Sequence, residues 1–198
     1  SIGKEFTVNI KLDHIAYKLP KGNKLRLSLS NAYWPLVWPV NNPAKLVVKG
    51  GYLSLPLRQR ATSDEWVFPE SVASKPWQGK EIRKPRNKRQ VLFDEATDEV
   101  FLEIEDDFGS YKDSKNKLVI SSTAREKWSI NPHDPLSAKG ETHWTEERSR
   151  GDWSIRTETF SSMTSDKSYF YLKARVEAYE KAKLIFKKKM ESKIKRIL

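Results

Sequence analysis

From Lys24 to Ser30 apolar and polar residues alternate, with Leu25, Leu27 and Leu29 on one side and Arg26, Ser28 and Ser30 on the other. Period two is the spacing of a strand with one buried face and one wet face. The chain then runs Asn31-Ala32-Tyr33-Trp34-Pro35-Leu36-Val37-Trp38-Pro39. Proline has no N–H to give a ladder and fixes its own φ. The strand is therefore expected to end near Ala32 or Tyr33, and an aromatic loop to leave the end of the sheet. Such a loop covers either the core of its own domain or a partner.

The same alternation marks further strands. Phe6 to Leu12, Lys45 to Lys49 and Tyr52 to Leu57 all carry it, with Gly50-Gly51 as a hairpin signal between the last two. Pro20-Lys21-Gly22-Asn23 reads as a reversal in which glycine supplies the backbone freedom. Strands are expected again at Gln90 to Phe93, Glu99 to Glu105, Lys117 to Ser121 and Lys127 to Ile130, with a turn at Gly109. Three more are expected at His143-Trp144, Asp152 to Phe160 and Tyr169 to Tyr179. Residues 58–90 lose all periodicity to charges and prolines and are expected as one long excursion, anchored by Trp66, Phe68 and Trp77. Many short strands, polar turns and no internal repeat predict one all-β sandwich domain spanning residues 1–198.

The C-terminal stretch is ambiguous. Ala178, Ala182, Phe186, Met190, Ile194 and Leu198 recur four apart among strong helix formers, which is the pattern of an amphipathic helix. Tertiary pairing commonly overrides such propensity. A strand over Lys183 to Lys188 is favoured, with the last residues left open to a helix.

Composition sets limits on chemistry. The chain has no cysteine, which removes disulfides, thiolate metal sites and a cysteine nucleophile. No apolar run approaches the ~18 residues of a membrane span, and Ser1 to Phe6 has no apolar signal core. The chain is read as cytoplasmic. Net charge is +11, concentrated at residues 80–89 and 181–198. Such clusters can attract nucleic acid or anionic surfaces, but the aromatics are not interleaved with them as in a single-strand-binding groove. A solvated basic face is the favoured reading.

Several phrases together resemble one family. Leu29-Ser30-Asn31-Ala32-Tyr33-Trp34-Pro35-Leu36-Val37-Trp38-Pro39 is similar to a segment of the C-terminal β-domain of CocE/NonD hydrolases, the group of cocaine esterase and X-Pro dipeptidyl-peptidase. Lys11 to Tyr17, Asn131 to Ala138, Arg150 to Trp153, Met163 to Asp166 and Glu177 to Glu180 follow in the family's order, so the resemblance extends over nearly the whole chain. It implies a galactose-binding-like jelly roll that packs on an α/β-hydrolase domain and shapes its substrate entrance. It also implies that the catalytic serine, histidine and acid belong to that other domain. Related domains begin before Ser1, so the alternating strand at Phe6 to Leu12 is expected to be an exposed edge, to be covered by another copy or by a hydrolase chain. Relatives end in a hairpin. Here Lys181-Ala182 stands at its turn, Met190 at a tryptophan position and Lys195 at a proline position.

No Gly-x-Ser-x-Gly elbow occurs, and the three histidines are His14, His133 and His143. His133-Asp134 reads as a turn before Pro135. Glu103, Glu105, Asp106 and Asp107 form an acidic run, with Glu103 and Glu105 on one face, and are read as a solvated strand end. No catalytic residue, metal ligand or cofactor is assigned. Tyr33, Trp34 and Trp38 are the docking or pocket-shaping candidates, and Trp144, Arg150 and Trp153 the candidates for ligand stacking. The leading reading is a non-catalytic accessory domain of an esterase or X-Pro dipeptidyl-peptidase-like hydrolase. The alternatives are a stand-alone carbohydrate-binding module and, behind it, a basic nucleic-acid-binding domain.

Overall fold

A computed structural model describes residues 3–41, 45–59, 61–62 and 65–197. Its strands are β1 (Gly79–Arg83), β2 (Arg86–Asp94), β3 (Glu99–Asp113), β4 (Val119–Asn131), β5 (Asp134–Arg150), β6 (Trp153–Ser165), β7 (Tyr169–Glu180) and β8 (Lys183–Lys195). All lie in one antiparallel sheet that meanders from β3 to β8, with β1 and β2 both paired to β3. The all-β class agrees with the sequence.

Pro85 explains the split edge. It lies between β1 and β2 and cannot donate to a ladder. Opposite it, β3 carries a bulge between Asp107 and Ser110, where pairing passes from β2 to β1. Gly109 sits in that bulge at φ 81°, and a β-carbon there would come within 2.6 Å of the Arg83 carbonyl oxygen. Only glycine fits. Gly109 is thus a bulge inside β3 and not the expected turn; the reversal comes at Ser114-Lys115-Asn116.

Register divides the sheet into two unlike faces, because residues paired across strands project the same way. One face carries the row Glu103, Lys127, Glu141, Ser162, Lys173 and Glu191. The adjacent row on that face is Glu105, Arg125, His143, Phe160, Arg175 and Lys189. This charged face is concave and bounds a trough of about 640 Å³. The opposite face is apolar, with Leu102, Trp128, Met163 and Leu172 in one row and Ala124, Trp144 and Val176 in another.

β8 resolves the C-terminal ambiguity in favour of strand. A spacing of four is also twice a spacing of two, so Phe186, Met190 and Ile194 share one strand face as readily as one helix stripe. They lie on the apolar face, opposite Ala178, Ala174 and Phe170. The turn forms without glycine: Lys181 takes φ 53°, and its N–H donates to the Ser154 carbonyl at 2.9 Å. That bond offsets the strain of a left-handed lysine. Leu198, the end of the four-residue pattern, lies outside the described residues.

Other expectations are corrected. The strands expected at Phe6–Leu12, Leu25–Ser30, Lys45–Lys49 and Tyr52–Leu57 are not formed. Their apolar members stand exposed, Phe6 at 71% and Leu27 at 59%. Alternation states which face of an extended segment is apolar, but not which strand satisfies its N–H and C=O groups. The reversal at residues 20–23 does form, with the Asn23 N–H on the Pro20 carbonyl at 3.1 Å and Gly22 at φ 91°. The excursion expected over 58–90 ends early, because β1 and most of β2 fall within it; residues 60, 63 and 64 of it lie outside the described set. The short strands expected at Lys127–Ile130 and His143–Trp144 are parts of β4 and β5.

Candidate functional site

The aromatic loop is where the strandless N-terminal segment meets the sheet. The Val37 N–H donates to the Tyr33 carbonyl at 2.8 Å and closes the loop on itself. Trp34 and Trp38 then meet edge to face, ring centroids 5.1 Å apart. Both turn inward onto the apolar face. Trp34 lies edge to face on Trp128 of β4 at 5.9 Å, and Trp38 on Phe170 of β7 at 6.2 Å. The Trp38 indole N–H donates to Ser165 Oγ at 2.9 Å, which satisfies its polar atom in a half-buried position. Each such pair is worth about 0.5–1.5 kcal/mol beyond its buried area.

The rest of the loop points away. Tyr33 is 65% exposed, Leu36 74% and Val37 57%. The three candidates therefore divide: Trp34 and Trp38 anchor the loop, and Tyr33 faces out beside two aliphatic residues. Composition could not have separated them, because all are aromatic within one short phrase.

Sequence reasoning missed Arg196. Its residue is buried, and its guanidinium reaches three acceptors. Nη1 donates to Ser165 Oγ at 3.1 Å and to the Asp166 carbonyl at 3.0 Å, and Nη2 donates to the Pro39 carbonyl at 2.7 Å. The same group lies over the Phe170 ring, 4.8 Å from its centre. Asn41 adds a bond from Nδ2 to the Lys167 carbonyl at 2.8 Å. Nothing in the sequence set Arg196 apart from the lysines around it.

The β6–β7 turn under this contact is held by Asp166. Its carboxylate accepts the Tyr171 hydroxyl at 2.6 Å and the backbone N–H groups of Ser168 and Tyr169. These bonds, the tyrosine's first, hold the Asp166 carboxyl below the usual aspartate range. The same bond raises the Tyr171 phenol.

The second candidate set does not converge. Arg150 and Trp153 are partners across the end of the β5–β6 hairpin. Trp144 lies six positions up β5, about 20 Å along a strand, and stacks instead on Phe108 with centroids 6.0 Å apart. Nearness in sequence suggests a cluster; the extended rise of a strand separates it.

The histidines take separate places. His14 is exposed in the N-terminal segment. His133 lies in the β4–β5 turn, where its N–H donates to Asn131 Oδ1 at 2.9 Å and Asp134 Oδ1 accepts the Leu136 N–H at 2.9 Å, the bend read from the sequence. His143 lies in the trough, stacked on Phe160 at 4.1 Å, with Nε2 2.5 Å from Glu158 Oε2. Arg175 covers the same phenyl ring at 4.0 Å. Arg156 and Arg175 direct Nε at Glu158 and Glu177, within 3.2 and 3.3 Å but not aligned to donate.

Charges on this face are largely answered across strands. Glu103 and Glu105 do share it, and they face Lys127 at 3.4 Å and Arg125 at 3.6 Å. The Gln90 amide, with Lys127 and Lys88 nearby, holds the Glu103 carboxyl below its usual range. Of the two basic clusters, Arg86 and Lys88 register against Asp107 and Glu105, and Lys187 pairs with Glu177 at 2.8 Å. Among the described residues no three metal-ligating side chains gather, and no helix is long and apolar enough to cross a membrane.

Residues 3–75 match the family model of the X-Pro dipeptidyl-peptidase C-terminal non-catalytic domain. The match spans the aromatic loop and stops before β1. No curated protein and no solved structure gives a significant match.

Proposed function

We propose that this chain is the non-bond-breaking partner of an α/β-hydrolase domain of the acyl-esterase or X-Pro dipeptidyl-peptidase type. The Tyr33–Trp38 loop docks on that domain and shapes its substrate entrance. The observation that carries the reading is the division of the loop. Trp34 and Trp38 fix it to the sheet, and Tyr33, Leu36 and Val37 present an apolar surface too exposed to stabilise this chain alone. A surface of that kind, held rigidly, suits a partner patch that excludes water. The matched family supports the nature of the partner.

The role is steric. The loop limits substrate shape and keeps water from the partner's acyl centre, and it moves no proton. The purified chain is expected to leave nitrophenyl esters and X-Pro nitroanilides uncleaved. Turnover that survives removal of contaminants and follows the chain through purification would contradict the reading.

A further inference from the structure

We infer that Arg196 is a latch: a positioning residue that seats the docking loop by tying the carbonyl of Pro39 to the β6–β7 turn. The inference rests on the proposed docking role for its meaning, but its geometry and its test stand apart from that role.

Arg196 lies just past the end of β8, and its own N–H donates to the Ser168 carbonyl at 2.8 Å. Its backbone is therefore fixed to the β6–β7 turn before its side chain reaches the loop. The side chain then makes contacts that no lysine could reproduce, because a guanidinium presents several donors in a fixed planar fork. One nitrogen serves the turn, at Ser165 Oγ and the Asp166 carbonyl, and the other serves the loop, at the Pro39 carbonyl. The guanidinium carbon lies over Phe170, the ring that Trp38 also touches.

Ser165 is the shared point. Its hydroxyl oxygen has two acceptor sites; Trp38 Nε1 takes one at 2.9 Å and Arg196 Nη1 the other at 3.1 Å. The loop's indole and the C-terminal arginine thus meet on one oxygen. Among the described residues Arg196 has no carboxylate within ion-pair distance. A buried cation served only by carbonyls and a hydroxyl loses its compensation when the loop leaves. Seating of the loop and burial of Arg196 are one event, so the position of the outward Tyr33, Leu36 and Val37 depends on a residue at the far end of the chain.

The test is bond-specific proteolysis of the chain alone, with no hydrolase present. Chymotryptic cleavage after Leu36 is followed by mass spectrometry and normalised to cleavage after Tyr52, which is 92% exposed and untouched by the latch. Arg196→Gln is expected to raise the normalised rate about tenfold or more, the scale of a lost charge-assisted hydrogen bond, while the β spectrum is kept. Arg196→Lys should recover less than half of that effect. An unchanged normalised rate in a folded Arg196→Gln variant would overturn the proposal. Should that variant lose its β spectrum, Ser165→Ala takes its place: a faster cut after Leu36 supports the latch, and an unchanged rate overturns it. Docking to a hydrolase domain enters neither readout, so a latch without a partner and a partner without a latch give different results.

Discussion

Gly140 of β5 lies directly opposite Trp128 of β4, and a β-carbon at Gly140 would come within 2.6 Å of the Trp128 ring. The indole therefore lies across a glycine and meets Trp34 of the aromatic loop nearly at right angles, ring centroids 5.9 Å apart. A missing side chain in the middle of a strand, usually a weakness, here makes room for the β4 indole that Trp34 meets.

Gly140→Ala accordingly should destabilise the sheet. Overpacking costs about 1–3 kcal/mol, and the backbone entropy that alanine recovers is about 0.5–1 kcal/mol, so crowding wins. Urea unfolding should show the loss, and in a Trp128→Leu background it should fall below about 1 kcal/mol. Equal losses in both backgrounds would mean that the Trp128 ring is not what Gly140 accommodates.

The loop's two sides should respond differently to truncation. Leu36→Asp should leave the unfolding midpoint within about ±0.5 kcal/mol of the parent, as exposed positions do. Trp38→Ala removes two ring contacts and the bond to Ser165 and should cost about 2–4 kcal/mol. Similar costs for the two would refute the inward and outward assignment.

Stability should fall at both pH extremes through one turn. Asp166 titrates below its ordinary value when folded, so its contribution is complete above the ordinary aspartate pKa, about 3.9, and is lost as pH falls through the lowered one. Tyr171 titrates above its ordinary value, so its contribution is complete below about pH 10 and is lost as pH rises through the raised one. Tyr171→Phe should move the Asp166 titration, followed by carboxyl NMR, back upward. No movement would rule out the hydroxyl as its main cause.

β8 is a long edge strand, and its lysines guard it. Lys187, Lys188 and Lys189 in mid-strand would each have to be desolvated by an added strand. Replacing Lys188 and Lys189 by valine should produce concentration-dependent growth in light scattering. A variant that stays at the parent's size at every concentration would show that charge is not what keeps this edge unpaired.

The sequence made the β class legible, because period two recurs along most of the chain. It also marked the aromatic loop that meets the sheet, although no strand precedes that loop. It did not reveal which extended segments pair: Leu25, Leu27 and Leu29 alternate as cleanly as Ile155, Thr157 and Thr159, yet only the latter belong to a strand. Pairing is decided by partners distant in sequence, and alternation carries no information about them. The C-terminal pattern fitted helix and strand equally, because every fourth residue is also an even residue. Arg196 was invisible for a related reason: its acceptors are carbonyls, which have no sequence signature, and one partner lies 157 positions away.

The central claim is that this chain contributes a rigid docking surface to a hydrolase and no bond-breaking groups. The direct measurement is titration calorimetry of the chain against an X-Pro dipeptidyl-peptidase-type α/β-hydrolase domain lacking its own C-terminal domain, repeated with Leu36→Asp. Saturable binding that weakens at least about tenfold in the variant, the scale of a lost apolar anchor, is the predicted result. Absence of binding, or equal affinity for parent and variant, would contradict it.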